Sequence, residues 1–317
     1  MPLSAQAASL VAGLNERFPK LGTEVLDAGE ARRLVERGYA QRKPLAVHRV
    51  ADRDIAGPDG TRLPVRIYWP GGDTGSARPI VVFLHGGGWV LCSVDTHDQT
   101  CRRLAVGADA IVVSVEYRRA PEHRFPTPVH DAHAALSWAA GHAAALGGDP
   151  DRVAVAGDSA GGNLAAAACL LARDLGAPRI AAQLLLFPIL DHGADTASHR
   201  EYRDGHFFTS AHLRWYWAQY LADRADGDHP YASPLRADLA GLPPAHIVTA
   251  ECDLLRDEAM GYAERLRAVR VAATFRCYPG LFHGFLAFED QLDAAGPAGS
   301  ETWAQFARIL AGAEGAA

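Results

Sequence analysis

Val153-Ala154-Val155-Ala156-Gly157-Asp158-Ser159-Ala160-Gly161-Gly162-Asn163 decides how this chain is read, because a β-branched run passes through glycines into the helix-forming Leu164-Ala165-Ala166. The spacing predicts a strand, a sharp turn and a helix, with Ser159 at the apex. A serine held there with strained dihedrals leaves no room for Cβ atoms two residues to either side, a steric reason for Gly157 and Gly161. The helix start adds unpaired N–H groups and the positive end of a dipole beside the serine.

Working outward, apolar runs at residues 65–69, 80–84, 111–115, 183–187, 247–250 and 274–278 join 153–156 as expected strands. Residues 129–146 read as a helix with Leu136, Ala139 and Ala143 on one face, stopped by Gly147 and Gly148. Residues 164–175 read as another, stopped by Gly176. This alternation specifies an α/β fold with a mostly parallel central sheet flanked by helices. Two regions break the rhythm. The first 45 residues carry helical patterns around 5–18 and 29–40 before any convincing strand. Residues 191–228 begin polar and become dense in aromatics: Phe207, Phe208, Trp215, Tyr216, Trp217 and Tyr220. Thr209 or Ser210 can cap a helix there with Leu213, Trp217, Tyr220 and Leu221 at helical spacing, either packing rings on the core or forming a lid over a pocket.

The 317 residues are 49% hydrophobic and 21% charged with a net charge of −6, an ordinary globular balance without a basic footprint for nucleic acid. Five scattered cysteines, Cys92, Cys101, Cys169, Cys252 and Cys277, match neither a disulfide framework nor a C-x-x-C metal site and point to a reducing compartment. Arg17 and Lys20 follow the first apolar stretch, the reverse of a secretory signal, and no run reaches the roughly 18 apolar residues a bilayer span needs. A cytoplasmic protein without membrane contact is expected.

Chemistry concentrates at the expected strand ends. After 80–84 comes His85-Gly86-Gly87-Gly88-Trp89, whose glycine amides can approach a developing oxyanion without side-chain obstruction. A nucleophilic serine needs a base and a carboxylate to orient it, and in α/β-hydrolases these follow in the order serine, acid, histidine. Of 14 histidines only His283 lies beyond residue 250, between Phe282 and Gly284 just after the last strand. Asp253 has a matching address after 247–250, with Glu251 as the rival and Asp257 and Glu258 as first-turn acids of the next helix. His130, Asp131 and His133 lack the partners of a metal site and are expected on a solvated helix face. Neither nucleotide-binding glycine fingerprint is met.

These motifs together resemble the hormone-sensitive lipase family of carboxylesterases, as found in bacteria, within the α/β-hydrolase superfamily. His85 to Trp89 matches its oxyanion motif, Tyr117-Arg118-Arg119-Ala120-Pro121-Glu122-His123 is similar to its Y-R-x-A-P-E-H segment, and Gly157 to Asn163 matches its nucleophile motif with Asp before serine. Asp253-Leu254-Leu255-Arg256-Asp257-Glu258 is similar to its D-P-L-x-D-E, with Leu254 in place of proline, and His283-Gly284-Phe285 to its H-G-F. The resemblance implies an α/β-hydrolase fold with a helical cap made of residues 1–45 and 191–228, and a core of 46–190 and 229–317. It implies a Ser159, Asp253, His283 triad, an oxyanion hole of Gly86, Gly87 and Ala160, and hydrolysis of short- to medium-chain acyl esters through an acyl-enzyme, with no cofactor or metal. Trp89, Phe207, Phe208, Trp217, Leu254, Phe282 and Phe285 are the expected pocket lining. An amidase, deacetylase or lactonase on the same triad, or a receptor of the same fold without the chemistry, are the alternatives. A small-molecule ester is the expected partner of a monomer or homodimer.

Overall fold

A computed structural model describes residues 2–38, 44–72 and 75–312. Among them, eight strands form one sheet in the order β1-β2-β4-β3-β5-β6-β7-β8. They are β1 (Arg49–Ala56), β2 (Arg62–Trp69), β3 (Arg78–Leu84), β4 (Ile111–Val115), β5 (Gly148–Asp158), β6 (Gln183–Leu186), β7 (Ala245–Cys252) and β8 (Ala273–Phe282). β1 pairs antiparallel with β2, and β2 antiparallel with β4. From β4 through β8 every pairing is parallel.

The helices are α1 (Ala5–Arg17), α2 (Ala28–Gly38), α3 (Asp98–Ala108), α4 (Thr127–Gly141), α5 (Ala143–Leu146), α6 (Ala160–Leu175), α7 (Ala197–Glu201), α8 (Ser210–Tyr220), α9 (Arg256–Ala268) and α10 (Ala295–Leu310). Strand alternation divides the core between the two faces of the sheet. Ile80, Val82 and Leu84 pack in one cluster with residues of α4, α6 and α9, while Val81 and Phe83 pack in the other with residues of α1, α3 and α10.

Every expected strand is present, and β1 is an addition. Its eight residues include Arg49, Asp52, Arg53 and Asp54 and bury only Ile55, so hydrophobic patterning does not announce it. Charge on an edge strand blocks further pairing, and that same charge hides it from a periodicity reading. The helix expected over 129–146 starts two residues earlier and breaks at His142 into α4 and α5, with Gly147 in the left-handed conformation at φ 81° closing the second piece. The second N-terminal helix is present, although the expected end at Ala40 lies outside the described residues.

The two irregular regions meet each other. Phe18 packs edge-on to Phe207 at 5.2 Å, Trp215 Nε1 donates to the Leu26 carbonyl at 3.0 Å, and Asn15 donates to the Gly205 carbonyl at 3.3 Å. Thr209 caps α8 by accepting from the His212 amide.

Candidate active site

The nucleophile turn is closed by its own backbone. Ser159 sits between β5 and α6 at φ 55°, ψ −116°, a strained conformation for a residue with a Cβ. A Cβ on Gly157 would lie 2.2 Å from the Gly161 carbonyl oxygen, and one on Gly161 only 1.9 Å from that of Leu84. Both glycines are therefore required by backbone atoms that cannot move aside.

Three strand ends bring the expected triad together. His283 Nδ1 donates to Asp253 Oδ2 at 2.8 Å, and its Nε2 lies 3.0 Å from Ser159 Oγ. With Nδ1 protonated against a carboxylate, Nε2 is the bare nitrogen able to accept the serine proton. Asp253 is 1% exposed, and its Oδ1 accepts from the Leu255 amide at 2.9 Å, fixing the carboxylate plane. The loop is fastened again where Ser198 Oγ donates to the Leu254 carbonyl, so proline at 254 is not needed to hold it. Glu251 is turned to another task, accepting from the Gly280 amide at 2.9 Å. Asp257 and Glu258 do open α9, and they also grip the segment after β6. Asp257 accepts from the Ser198 amide, while fully buried Glu258 accepts from the amides of Leu190 and Asp191 and lies 3.0 Å from His199 Nε2.

The oxyanion turn departs from expectation at one donor. The Gly86 amide donates to Asp158 Oδ1 at 2.9 Å and so is committed elsewhere. Among the described residues the amides of Gly87, Gly88 and Ala160 have no protein acceptor. Gly87 and Gly88 hold φ of 100° and 61°, conformations in which glycine avoids the Cβ penalty.

The Tyr117 to His123 segment cradles this turn. Tyr117 donates to the His85 carbonyl and stacks on the His85 ring at 4.3 Å, and the Ala120 amide donates to the Trp89 carbonyl. Burial pushes the His85 imidazole down to about 3, so the ring is neutral. Arg118 pairs with Asp131, which is buried rather than solvated as the sequence suggested, because α4 turns that carboxylate inward to the guanidinium at 2.6 Å. From α2, Arg32 donates to the carbonyls of Val90 and Ala120 and forks onto Glu122, whose carboxyl it holds down at about 2.

Residues 81–287 match a protein family described as alpha/beta hydrolase fold. The chain belongs to that family. Its relatives include the carboxylesterase NlhH of Mycobacterium tuberculosis, 44% identical over 83% of each chain. Another is the ethyl acetate hydrolase of Pseudomonas putida, 38% identical over 84% of this chain and 85% of that one. The structure of a hyperthermophilic esterase from the archeon Pyrobaculum calidifontis superposes with a TM-score of 0.88, at 39% identity over 99% of both chains. Within the α/β-hydrolases the protein is a carboxylesterase of the hormone-sensitive lipase type.

Around the hydrogen-bonded Asp253, His283 and Ser159 of the esterase, the expected lining residues divide. Phe208 stacks on the His283 ring at 4.4 Å, and Trp89 lies under Tyr220 at 4.1 Å and Trp217 at 4.6 Å. Phe207 bridges Phe18 and Phe282. Leu254, Phe282 and Phe285 are buried to within 1% of completely, and Phe282 and Phe285 pack among Phe288 and Tyr278, which makes them core as much as wall. Two further rings lie outside the expected lining. Phe187 meets His283 edge-on at 5.0 Å, one residue past the end of β6, the strand-end address that had located the triad. Tyr216 lies so close to Gly88 that a Cβ there would fall 2.0 Å from its ring.

A depression of about 1450 Å³ is lined by Trp217 together with Arg124, His192, Arg214 and Arg224, and by none of Ser159, Asp253 and His283. No helix of the described residues is long and apolar enough to cross a membrane.

Proposed function

We propose that the esterase works by acyl transfer through Ser159, with His283 as general base and acid and Asp253 as the orienting carboxylate. The hydrogen-bonded line Asp253–His283–Ser159, at 2.8 and 3.0 Å, is the observation that carries this reading. His283 takes the serine proton as Oγ attacks the ester carbonyl, and Asp253 stabilises the resulting imidazolium. The amides of Gly87, Gly88 and Ala160 receive the oxyanion. Collapse releases the alcohol with the proton from His283, and water repeats the cycle on the acyl-enzyme. Replacing Ser159 with Ala abolishes hydrolysis and leaves the fold in place. A serine-directed organophosphate labels the wild type once and the variant not at all, and labelling at another residue with retained activity would sink the assignment.

Residues 1–45 and 191–228 act as a cap over this site, and the substrates are short- to medium-chain acyl esters. The support is ring placement: Phe208 covers His283, and Tyr216, Trp217 and Tyr220 of α8 crowd the oxyanion turn and Trp89. Trp217 both packs on Trp89 and lines the large depression, so Trp217→Ala opens the wall and moves the optimum toward longer acyl chains with little change for acetyl esters. A series of p-nitrophenyl esters reads this, and an unchanged profile with lowered stability assigns Trp217 to packing alone. The odd number and scattered placement of the five cysteines support a cytoplasmic setting, with the protein acting as a monomer or homodimer.

A further inference from the structure

Asp158 precedes the nucleophile in sequence and is the one residue of that turn to which the triad chemistry gives no task. Its carboxylate lies beneath the oxyanion turn with 15% of the side chain exposed. One oxygen accepts from the Gly86 amide at 2.9 Å, across 72 positions of chain, and the other lies 3.3 Å from His97 Nε2. A carboxylate only accepts, so Nε2 is the protonated nitrogen of His97 in either hydrogen-bonding arrangement of its Nδ1 with Thr96 Oγ1, 2.9 Å away. Thr96 Oγ1 also accepts from the Ser93 amide and lies 2.9 Å from the Ser93 carbonyl, which takes the single hydroxyl proton whenever Nδ1 is the donor to Oγ1. Burial alone would raise the Asp158 carboxyl, but His97 and the Gly86 amide outweigh it and hold the group below its ordinary range, hence ionised.

We infer that Asp158, braced by His97, is a positioning residue that keeps the oxyanion turn in register with the nucleophile turn. The inference rests on the acyl-transfer reading above. Ser159 and the Ala160 amide follow Asp158 directly, while Gly87 and Gly88 follow Gly86, so a single hydrogen bond ties both halves of the oxyanion hole together. A shift of about 1 Å between such halves costs on the order of 10²-fold in rate. An uncompensated carboxylate this close to a developing oxyanion would also oppose it, and the His97 N–H offsets that charge.

The experiment compares Asp158→Ala, Asp158→Asn and His97→Gln by kcat, KM, thermal stability and affinity for a trifluoromethyl ketone, which forms the tetrahedral oxyanion on the serine. Asp158→Ala lowers kcat by about 10²-fold with KM within about threefold, the size of a lost oxyanion donor, and weakens the ketone by a similar factor. Asp158→Asn keeps an acceptor for the Gly86 amide and recovers most of the loss. His97→Gln lowers kcat by roughly tenfold in the wild type and less in the Asp158→Asn background, where no charge needs offsetting. Organophosphate labelling of Ser159 proceeds in every variant. If Asp158→Ala proves unable to fold, the Asn and Gln variants carry the same coupling measurement. Losses confined to stability, with kcat and ketone affinity unchanged, overturn the positioning role, as does strict additivity of the two substitutions. Loss of the Ser159 label in the wild type would instead overturn the triad reading on which it rests.

Discussion

The two glycine-rich turns that frame the catalytic centre are built in opposite ways. The nucleophile turn, Gly157 to Gly162, is packed against backbone: its glycines face the carbonyls of Gly161 and Leu84 at distances no side chain could adjust. The oxyanion turn, His85 to Leu91, closes on itself only where the Val90 and Leu91 amides donate to the Gly87 carbonyl, and is otherwise held by side chains from far along the chain. Asp158 takes the Gly86 amide, Tyr117 the His85 carbonyl and Arg32 the Val90 carbonyl, while Tyr216 and Tyr220 lay rings on Gly88 and Trp89. A geometry imposed by backbone is written in a local motif. A geometry imposed by distant side chains is adjustable, and it gives the segments that carry those side chains a grip on the chemistry.

The contrast can be broken by adding one methyl group to each turn. Gly161→Ala drives a Cβ into the Leu84 carbonyl, with the His85 carbonyl also within 2.7 Å. Because neither can retreat without unpairing the strand end, we expect a loss of about 4 kcal/mol or more in denaturant unfolding and no measurable ester hydrolysis. No truncation of a neighbouring side chain restores it. Gly88→Ala has a smaller effect, roughly 1–2 kcal/mol for the left-handed backbone plus the collision with Tyr216. Since the collision is with a ring, Gly88→Ala costs less in a Tyr216→Ala background than in the wild type. Equal costs in both backgrounds would show that the oxyanion turn is as rigid as the nucleophile turn.

The same distinction marks what could be read from the sequence. Ser159, Asp253 and His283 were legible because each directly follows a parallel strand, and β5 and β7 carry continuous buried runs. That address separates Asp253 from Glu251, and the two carboxylates have different partners, His283 for Asp253 and the Gly280 amide for Glu251. The oxyanion motif was legible as a motif, yet not which amide is spent: the Gly86 amide is taken by a carboxylate 72 residues away. Tyr216 and Phe187 were hidden for the same reason, since a ring's role depends on what lies across from it in space. β1 escaped because an edge strand with one buried side chain has no apolar period to detect.

A side-chain joint remote from both turns provides the control for these effects. Glu289 lies between α3 and α10, 3.3 Å from Arg103 Nε, with about one-tenth of its side chain exposed. Burial, helped by Asp290 and opposed by Arg103, pushes its carboxyl up to about 7 from an ordinary 4.5. A carboxyl raised in the folded state favours folding while protonated, so its contribution is fully present below 4.5 and is lost as pH rises through about 7. Glu289→Gln keeps the shape without the charge. At pH 8 the variant should be the more stable by on the order of 1 kcal/mol, the burial penalty being partly offset by the lost Arg103 pair, and the gap should close toward pH 5. Paired thermal melts across that range measure it. A variant less stable at pH 8 would show that the ion pair outweighs burial. Turnover should be the same with and without the carboxyl at every pH, because Glu289 touches neither turn, and this separates a change in stability from a change in the register of the catalytic loops.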